Sequence, residues 1–241
     1  MGNLILLPGM MCDSRVFAPQ IEALRNRGRN RGRNRVRITV PLPVSAPSME
    51  QLAADILKEA PDRFALGGVS LGGILAMEVI RQAPARVTHL ALIDTNPFAE
   101  RDEVKARRGP QIEAVRSGRL AAVMQDEMKP NYFTHMRDSA DLRDITMAMA
   151  MDLGAEAFIT QSLALRDRDD YSLTLRGVAC PTLILCGRHD ILCPVDRHEA
   201  MKEMIPHARL HIIEGAGHLP TIEAPDEVTR ALQDLLEDKH G

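Results

Sequence analysis

Phe64-Ala-Leu-Gly-Gly-Val-Ser-Leu-Gly-Gly-Ile-Leu-Ala-Met-Glu78 decides how this chain is read. A short apolar run from Phe64 reaches Gly68-Val69-Ser70-Leu71-Gly72, and an apolar helical pattern then continues through Ile80. The order is strand, sharp turn, helix, with Ser70 at the apex. A residue on such a turn is held in strained backbone geometry, and its neighbours must be small enough for strand and helix to close together. Gly68 and Gly72 fall where that crowding is expected. The turn then lifts the Ser70 hydroxyl into a cleft at the carboxyl end of a sheet, within reach of a base and a substrate.

A serine hydroxyl is nearly inert at neutral pH. It needs a base, and the base needs an orienting acid. Pro181-Thr-Leu-Ile-Leu-Cys-Gly187 reads as a buried strand running into the loop Arg188–Pro194, which puts Asp190 just past the strand's carboxyl end. Arg209–Ile213 is the next strand, and it runs into Glu214-Gly-Ala-Gly-His-Leu-Pro220. His218 is therefore the candidate base and Asp190 the candidate acid. The developing oxyanion needs preorganised backbone donors. The Leu71 N–H, at the opening of a helix, is one, and the Met10 N–H, just past Pro8-Gly9 and the first strand, is the other. Asp13 or Ser14 is expected to cap the helix that follows.

Four segments now carry a family resemblance: Leu6-Leu-Pro-Gly-Met10, Gly67-Gly-Val-Ser-Leu-Gly-Gly73, Cys186-Gly-Arg-His-Asp190 and Gly215-Ala-Gly-His-Leu-Pro-Thr-Ile-Glu223. Together they resemble the α/β-hydrolase superfamily, over the whole chain apart from residues 97–170. The resemblance is nearest to the small esterase, lactonase and C–C hydrolase branch, which includes enol-lactonase-like proteins. It implies the chain order Ser, Asp, His for the triad. It also makes Asp94, which ends the strand Leu90–Ile93, a second-ranked acid, because some family members place theirs there. One departure stands out. Many relatives carry His-Gly in the oxyanion loop where this chain has Pro8-Gly9, so the backbone donor survives while a side-chain support for the loop is lost.

Strand-like runs at 3–7, 36–40, 64–68, 88–93, 181–186 and 208–213 alternate with helical patterns near 14–27, 48–60, 71–83, 194–205 and 225–238. Alternation with continuous apolar strands predicts an α/β fold: a mostly parallel sheet of about six strands flanked by helices. Chemistry in such sheets collects at the carboxyl ends of the strands, and Ser70, Asp190, His218 and Met10 all follow strands. Residues 97–170 interrupt the alternation. They read as a helical cap over a core formed by 1–96 and 171–241. The cap carries Met124, Met128, Met136, Met147, Met149 and Met151, which either line an adaptable pocket or pack the cap helices together. Tyr132, Phe133, His135 and Phe158 are its candidate substrate contacts, and no cluster of cationic residues in it distinguishes a carboxylate-bearing substrate from a neutral one.

At 241 residues and 45% hydrophobic content, the chain can bury a substantial core, and a net charge of −3 favours neither disorder nor a polyanionic partner. The apolar start lacks a basic flank and a cleavage site, so it reads as the first strand, and a cytoplasmic location is expected. Cys12, Cys180, Cys186 and Cys193 are then expected as free thiols. Cys186, His189 and Cys193, with His198 beyond, imitate zinc spacing, but Cys186 lies inside a buried strand and no metal is expected. Cys12 and Cys193 flank the predicted site, where a thiol reagent would block the cleft. Arg25–Arg37 places arginine at seven alternate positions without interleaved aromatics, and reads as a solvated loop rather than a nucleic-acid or membrane contact.

The expected chemistry is hydrolysis of a small carboxylic ester or lactone through an acyl-enzyme on Ser70, with no cofactor. The alternatives are C–C bond hydrolysis of a β-diketone or vinylogous acid with the same residues, and a non-catalytic ligand receptor on the same fold. The sequence leaves the oligomeric state open.

Overall fold

The structure is a computed structural model, and it describes residues 2–30, 36–133 and 139–238. Six strands form one sheet: β1 Asn3–Leu7, β2 Arg37–Thr39, β3 Phe64–Val69, β4 Val87–Ile93, β5 Thr182–Gly187 and β6 Arg209–Ile213. Their order across the sheet is β2-β1-β3-β4-β5-β6, and every pairing is parallel. The expected parallel sheet of six strands is thus present, each strand within one residue or so of its expected bounds.

Both faces are covered. Side chains alternate along each strand, so Ile5, Leu7, Leu66, Leu90, Leu92 and Ile184 enter one apolar cluster while Leu4, Leu6, Ala65, Ala91, Leu183 and Leu185 enter the other. The first face is closed by α2 (Met49–Glu59) and α3 (Leu71–Gln82), the second by α1 (Ala18–Asn30) and α10 (Pro225–Glu237). Ser48 caps α2, its hydroxyl accepting the Gln51 N–H at 3.2 Å. Asp13 caps a short 3₁₀ turn, Ser14–Phe17, that leads into α1.

Between β4 and β5 the chain is helical: α4 Asp102–Arg116, α5 Leu120–Ala122, α6 Ala140–Arg166 and α7 Ser172–Arg176, with no strand among the described residues of that stretch. Gly154 takes φ +79° inside α6 and kinks it. The remaining helices, α8 Val195–Met204 and α9 Pro220–Glu223, follow β5 and β6. No helix is long and apolar enough to cross a membrane. The arginine repeat differs from expectation in one respect. Helix α1 continues to Asn30 instead of ending near residue 27, and residues 31–35 of the repeat lie outside the described residues.

Candidate active site

Ser70 sits between β3 and α3 with φ +55° and ψ −118°, a left-handed conformation that costs a non-glycine residue free energy and persists only where its surroundings enforce it. The enforcement is visible. The Ser70 N–H donates to the Ile93 carbonyl at 2.9 Å, and its carbonyl accepts the Thr95 hydroxyl at 2.8 Å. The flanking glycines make the turn possible. A Cβ on Gly68 would collide with the Gly72 carbonyl, and one on Gly72 with the Leu7 carbonyl. The crowding read from the sequence is therefore backbone against backbone.

The Ser70 Oγ lies 2.9 Å from His218 Nε2, and His218 Nδ1 lies 2.8 Å from Asp190 Oδ2. These three side chains come from loops after β3, β5 and β6, and 148 residues separate the serine from the histidine. Asp190 is 3% exposed and His218 4%. The other Asp190 oxygen accepts the N–H groups of Leu192 (2.8 Å) and Cys193 (3.0 Å). Burial alone would raise the Asp190 carboxyl, but the charge and hydrogen bond of His218, with further donors, outweigh it and bring the group down to about 2.

Asp94, the second-ranked acid, does not contact His218. Its Oδ1 accepts the Gly187 N–H at 2.9 Å, tying β4 to β5, while its Oδ2 is buried without a conventional donor. Burial first, and the neighbouring Asp190 charge second, push the Asp94 carboxyl well above the usual range. Two adjacent carboxyls are thus driven apart, Asp190 down and Asp94 up, with the lowered one facing the histidine.

The His218 loop is fastened from two directions. Glu223, on α9, accepts the Gly217 and Leu219 N–H groups, each at 2.9 Å, and the Tyr132 carbonyl accepts the His218 N–H at 2.8 Å. Met10 shares a cavity wall with Ser70, and Leu71 follows that serine in the chain. Neither N–H is tied up in a hydrogen bond among the described residues, and Leu71 opens α3, where N–H groups have no partner within the helix. The loop after β1 has a support that the sequence did not reveal. Gln161 of α6, fully buried, accepts the Met11 N–H at 2.8 Å and donates to the Pro43 carbonyl at 3.2 Å.

A cavity of about 360 Å³ opens over Ser70 and His218, with Met10, Ile74, Met128, Tyr132 and Cys193 in its wall. Two larger hollows, one around Pro41–Ser45 and one around Pro84–His89, contain none of these residues. Among the methionines of residues 97–170, Met128 lines the cavity; Met124 and Met149 are buried in the packing and Met151 faces solvent. Tyr132 lines the cavity with its ring centroid 5.8 Å from that of His218, whereas Phe133 stacks edge-on against Tyr132 and Phe158 is packed in the core. Met136 and His135 lie outside the described residues. The absence of a cationic cluster expected from the sequence is overturned: Arg101, Arg107 and Arg108, at the start of α4 and within it, and Arg168, just after α6, all line this cavity.

The zinc-like spacing dissolves in three dimensions. His189 is exposed, and His198 is satisfied as a buried neutral ring, its Nε2 accepting the Thr95 N–H and its Nδ1 facing the Pro194 carbonyl. Burial holds His198 down to about 4. A different set, Asp190, Cys193 and His218, brings ligand atoms within 4.8 Å of one another. An ion there would have to displace the Ser70–His218–Asp190 hydrogen bonds and deprotonate Cys193, whose thiol burial pushes far up. The four cysteines are free, and Cys12, 2% exposed, is pushed up to about 12 by burial. Cys12 and Cys193 are both buried, and burial pushes both thiols up, which disfavours the thiolate that a reagent attacks, while Cys193 does line the cavity.

Residues 4–231 match the model of the alpha/beta hydrolase family. The chain belongs to that family. It is 29% identical over 242 residues to a pimeloyl-[acyl-carrier protein] methyl ester esterase of Xanthomonas axonopodis pv. citri, covering 95% of this chain and 93% of that one. It is 24% identical to the biotin biosynthesis bifunctional protein BioHC of Cellvibrio japonicus, over 97% of this chain but 47% of that protein's length, so it spans about half of it. Among solved structures, a thermophilic esterase from Thermogutta terrifontis with malate bound superposes with a TM-score of 0.86 at 26% identity, over 100% of this chain and 91% of the other.

Proposed function

We propose that this protein is a serine hydrolase that cleaves a small carboxylic ester or lactone through an acyl-enzyme on Ser70. The observation that carries the reading is the continuous hydrogen-bonded line from Ser70 Oγ through His218 to Asp190, on a strained turn at the floor of a cavity. The class agrees with the esterases it is similar to at 26–29% identity; it is a carboxylic ester hydrolase.

In the proposed cycle the Ser70 oxygen attacks the ester carbonyl carbon while its proton passes to His218 Nε2. The oxyanion is received by the Met10 and Leu71 N–H groups. Collapse breaks the bond to the alkoxy oxygen, which leaves as the alcohol with the proton from His218. Water, deprotonated by the same nitrogen, then attacks the acyl-enzyme and releases the acid and free Ser70. Asp190 holds the imidazole with Nε2 towards the serine and stabilises the imidazolium. Residues 97–170 act as a cap over the cavity, and the substrate is a small molecule. C–C bond hydrolysis draws on the same residues and has no observation of its own in favour of it.

The test is hydrolysis of p-nitrophenyl acetate and butyrate by the wild-type protein beside Ser70→Ala. The variant is expected to lose several orders of magnitude in turnover while retaining its melting temperature within a few degrees. Near-normal turnover in Ser70→Ala would remove Ser70 as the nucleophile.

A further inference from the structure

The cavity over Ser70 is charged in an unbalanced way. Four arginines line it (Arg101, Arg107, Arg108 and Arg168) against two glutamates, Glu100 and Glu127. Glu100 is fully used: its Oε2 accepts from Arg108 at 2.6 Å and Arg168 at 2.8 Å, and its Oε1 from Arg168 at 3.2 Å. Two buried guanidiniums therefore share one carboxylate, which leaves a surplus positive charge at the wall. Arg168 is 7% exposed and Arg108 9%, so water screens that surplus poorly.

Arg108 is also incompletely satisfied. Its Nε is buried and has no hydrogen-bond partner among the described residues. A charged donor left unpaired in a buried place is costly, and such groups in folded proteins normally have a partner. Nearer solvent, Arg101 at the N-cap of α4 and Arg107 within it both line the cavity, and neither side chain has an ion pair or hydrogen bond with a described residue. The lining positions Arg101, Val104, Arg108 and Gln111 recur at helical spacing, so this is one face of α4 presented to the cavity and not a scatter of surface charge. Glu127, whose Oε2 accepts the Gln111 side chain at 2.9 Å, keeps its charge, so the four arginines outnumber the lining carboxylates by two.

We propose that the physiological ester carries a carboxylate at the end remote from the scissile bond, and that Arg108, with Arg101 and Arg107, receives it. A guanidinium matches a carboxylate in shape and forms charge-assisted hydrogen bonds to it. The surplus of one buried charge suits a single anionic group. Such a substrate lies with its ester over Ser70 and its carboxylate under α4, so the arginines select the substrate and set its direction without touching the reacting bond. This proposal rests on the ester-hydrolase reading above, and the experiment separates the two.

The rates to compare are those on monomethyl adipate and on its neutral counterpart methyl adipamate, with p-nitrophenyl acetate as the uncharged reference. Wild-type protein is expected to prefer the charged ester by at least ten-fold in kcat/KM. In Arg101→Gln/Arg107→Gln that preference should fall several-fold, mainly through KM, and in Arg107→Glu it should fall further. Arg116→Gln, an exposed arginine on α4 outside the cavity and paired with Glu113, should keep the wild-type preference. Arg108→Gln is the sharper change but sits in packed structure, so the exposed pair carries the test if it fails to fold. Equal kcat/KM for the two adipate esters in wild type, with p-nitrophenyl acetate still cleaved, would overturn the carboxylate proposal and leave the esterase reading standing. If wild type cleaves no ester at all, the esterase reading fails. Adipate binding to Ser70→Ala, read as a thermal shift abolished by Arg101→Gln/Arg107→Gln, then still decides the anion site.

Discussion

Gln161 Oε1 accepts the Met11 N–H at 2.8 Å, fastening the loop that carries Met10 to helix α6, 150 residues further along the chain. This is the support that Pro8-Gly9 lacks. A side chain from the helical segment between β4 and β5 supplies that support from outside the loop.

Gln161→Ala is accordingly expected to lower kcat by about 10- to 100-fold with a small change in KM, because the Met10 donor loses its fixed position and the buried Met11 N–H is left unpaired at a cost of about 1–3 kcal/mol. Gln161→Glu, which keeps the acceptor, should recover part of the rate. Steady-state kinetics on p-nitrophenyl butyrate checks this, and an unchanged kcat in Gln161→Ala would mean that the loop holds itself.

Asp94 and Asp190 predict opposite outcomes for one substitution. Asp190→Asn should cut kcat by on the order of 10³–10⁴-fold, since the amide cannot hold His218 as a carboxylate does. Asp94→Asn should leave it within a few-fold, because the amide supplies the N–H donor that a protonated Asp94 supplies. The pH dependence of stability follows from the raised Asp94 carboxyl. The folded chain keeps a proton there that the unfolded chain releases above about pH 4, so this group makes stability fall as pH rises from there. Removing it in Asp94→Asn should raise the melting temperature relative to wild type more at pH 7 than at pH 4. A difference that shrinks with pH would show Asp94 to be ionised in the fold.

Much of this was legible in the sequence for one reason: strands buried on both faces are continuous apolar runs, and loops at their carboxyl ends announce themselves with glycine. Ser70, Asp190 and His218 each carry such a local mark. Gln161 has none, since a glutamine in a helical pattern reads as solvated until the fold buries it against a loop 150 residues away. Glu223 was inside a motif already quoted, yet only the folded loop shows its carboxylate gripping the N–H groups on both sides of His218. The arginines of α4 were misread for a related reason. A charged helix looks the same in sequence whether its cationic face meets water or a cavity.

The buried thiols give a simple chemical test. Only the thiolate reacts readily with an alkylating reagent, and Cys12, held near 12, is almost wholly protonated at pH 8. Native protein treated with iodoacetamide at that pH should keep its esterase activity, with labelling confined to the partly exposed Cys180. Mass spectrometry of the peptides checks the sites. Rapid labelling of Cys193 with loss of activity would show that the cavity wall opens.

Glu100 between Arg108 and Arg168 links stability to the proposed substrate. Their side chains are 8%, 11% and 4% exposed, so Glu100→Gln leaves two buried guanidiniums facing each other with no counter-charge. The expected cost is about 3–5 kcal/mol, the range for breaking a buried ion pair by removing one partner. Glu100→Gln/Arg168→Met, which removes the second charge as well, should recover part of it, and urea melts of the two variants measure the difference. A free dicarboxylate offers a further handle. A ligand that binds the folded state stabilises it in proportion to its affinity, so adipate should raise the melting temperature of Glu100→Gln more than that of wild type, supplying the carboxylate that the substitution removed. Equal shifts in both would place the dicarboxylate away from the Glu100 arginines.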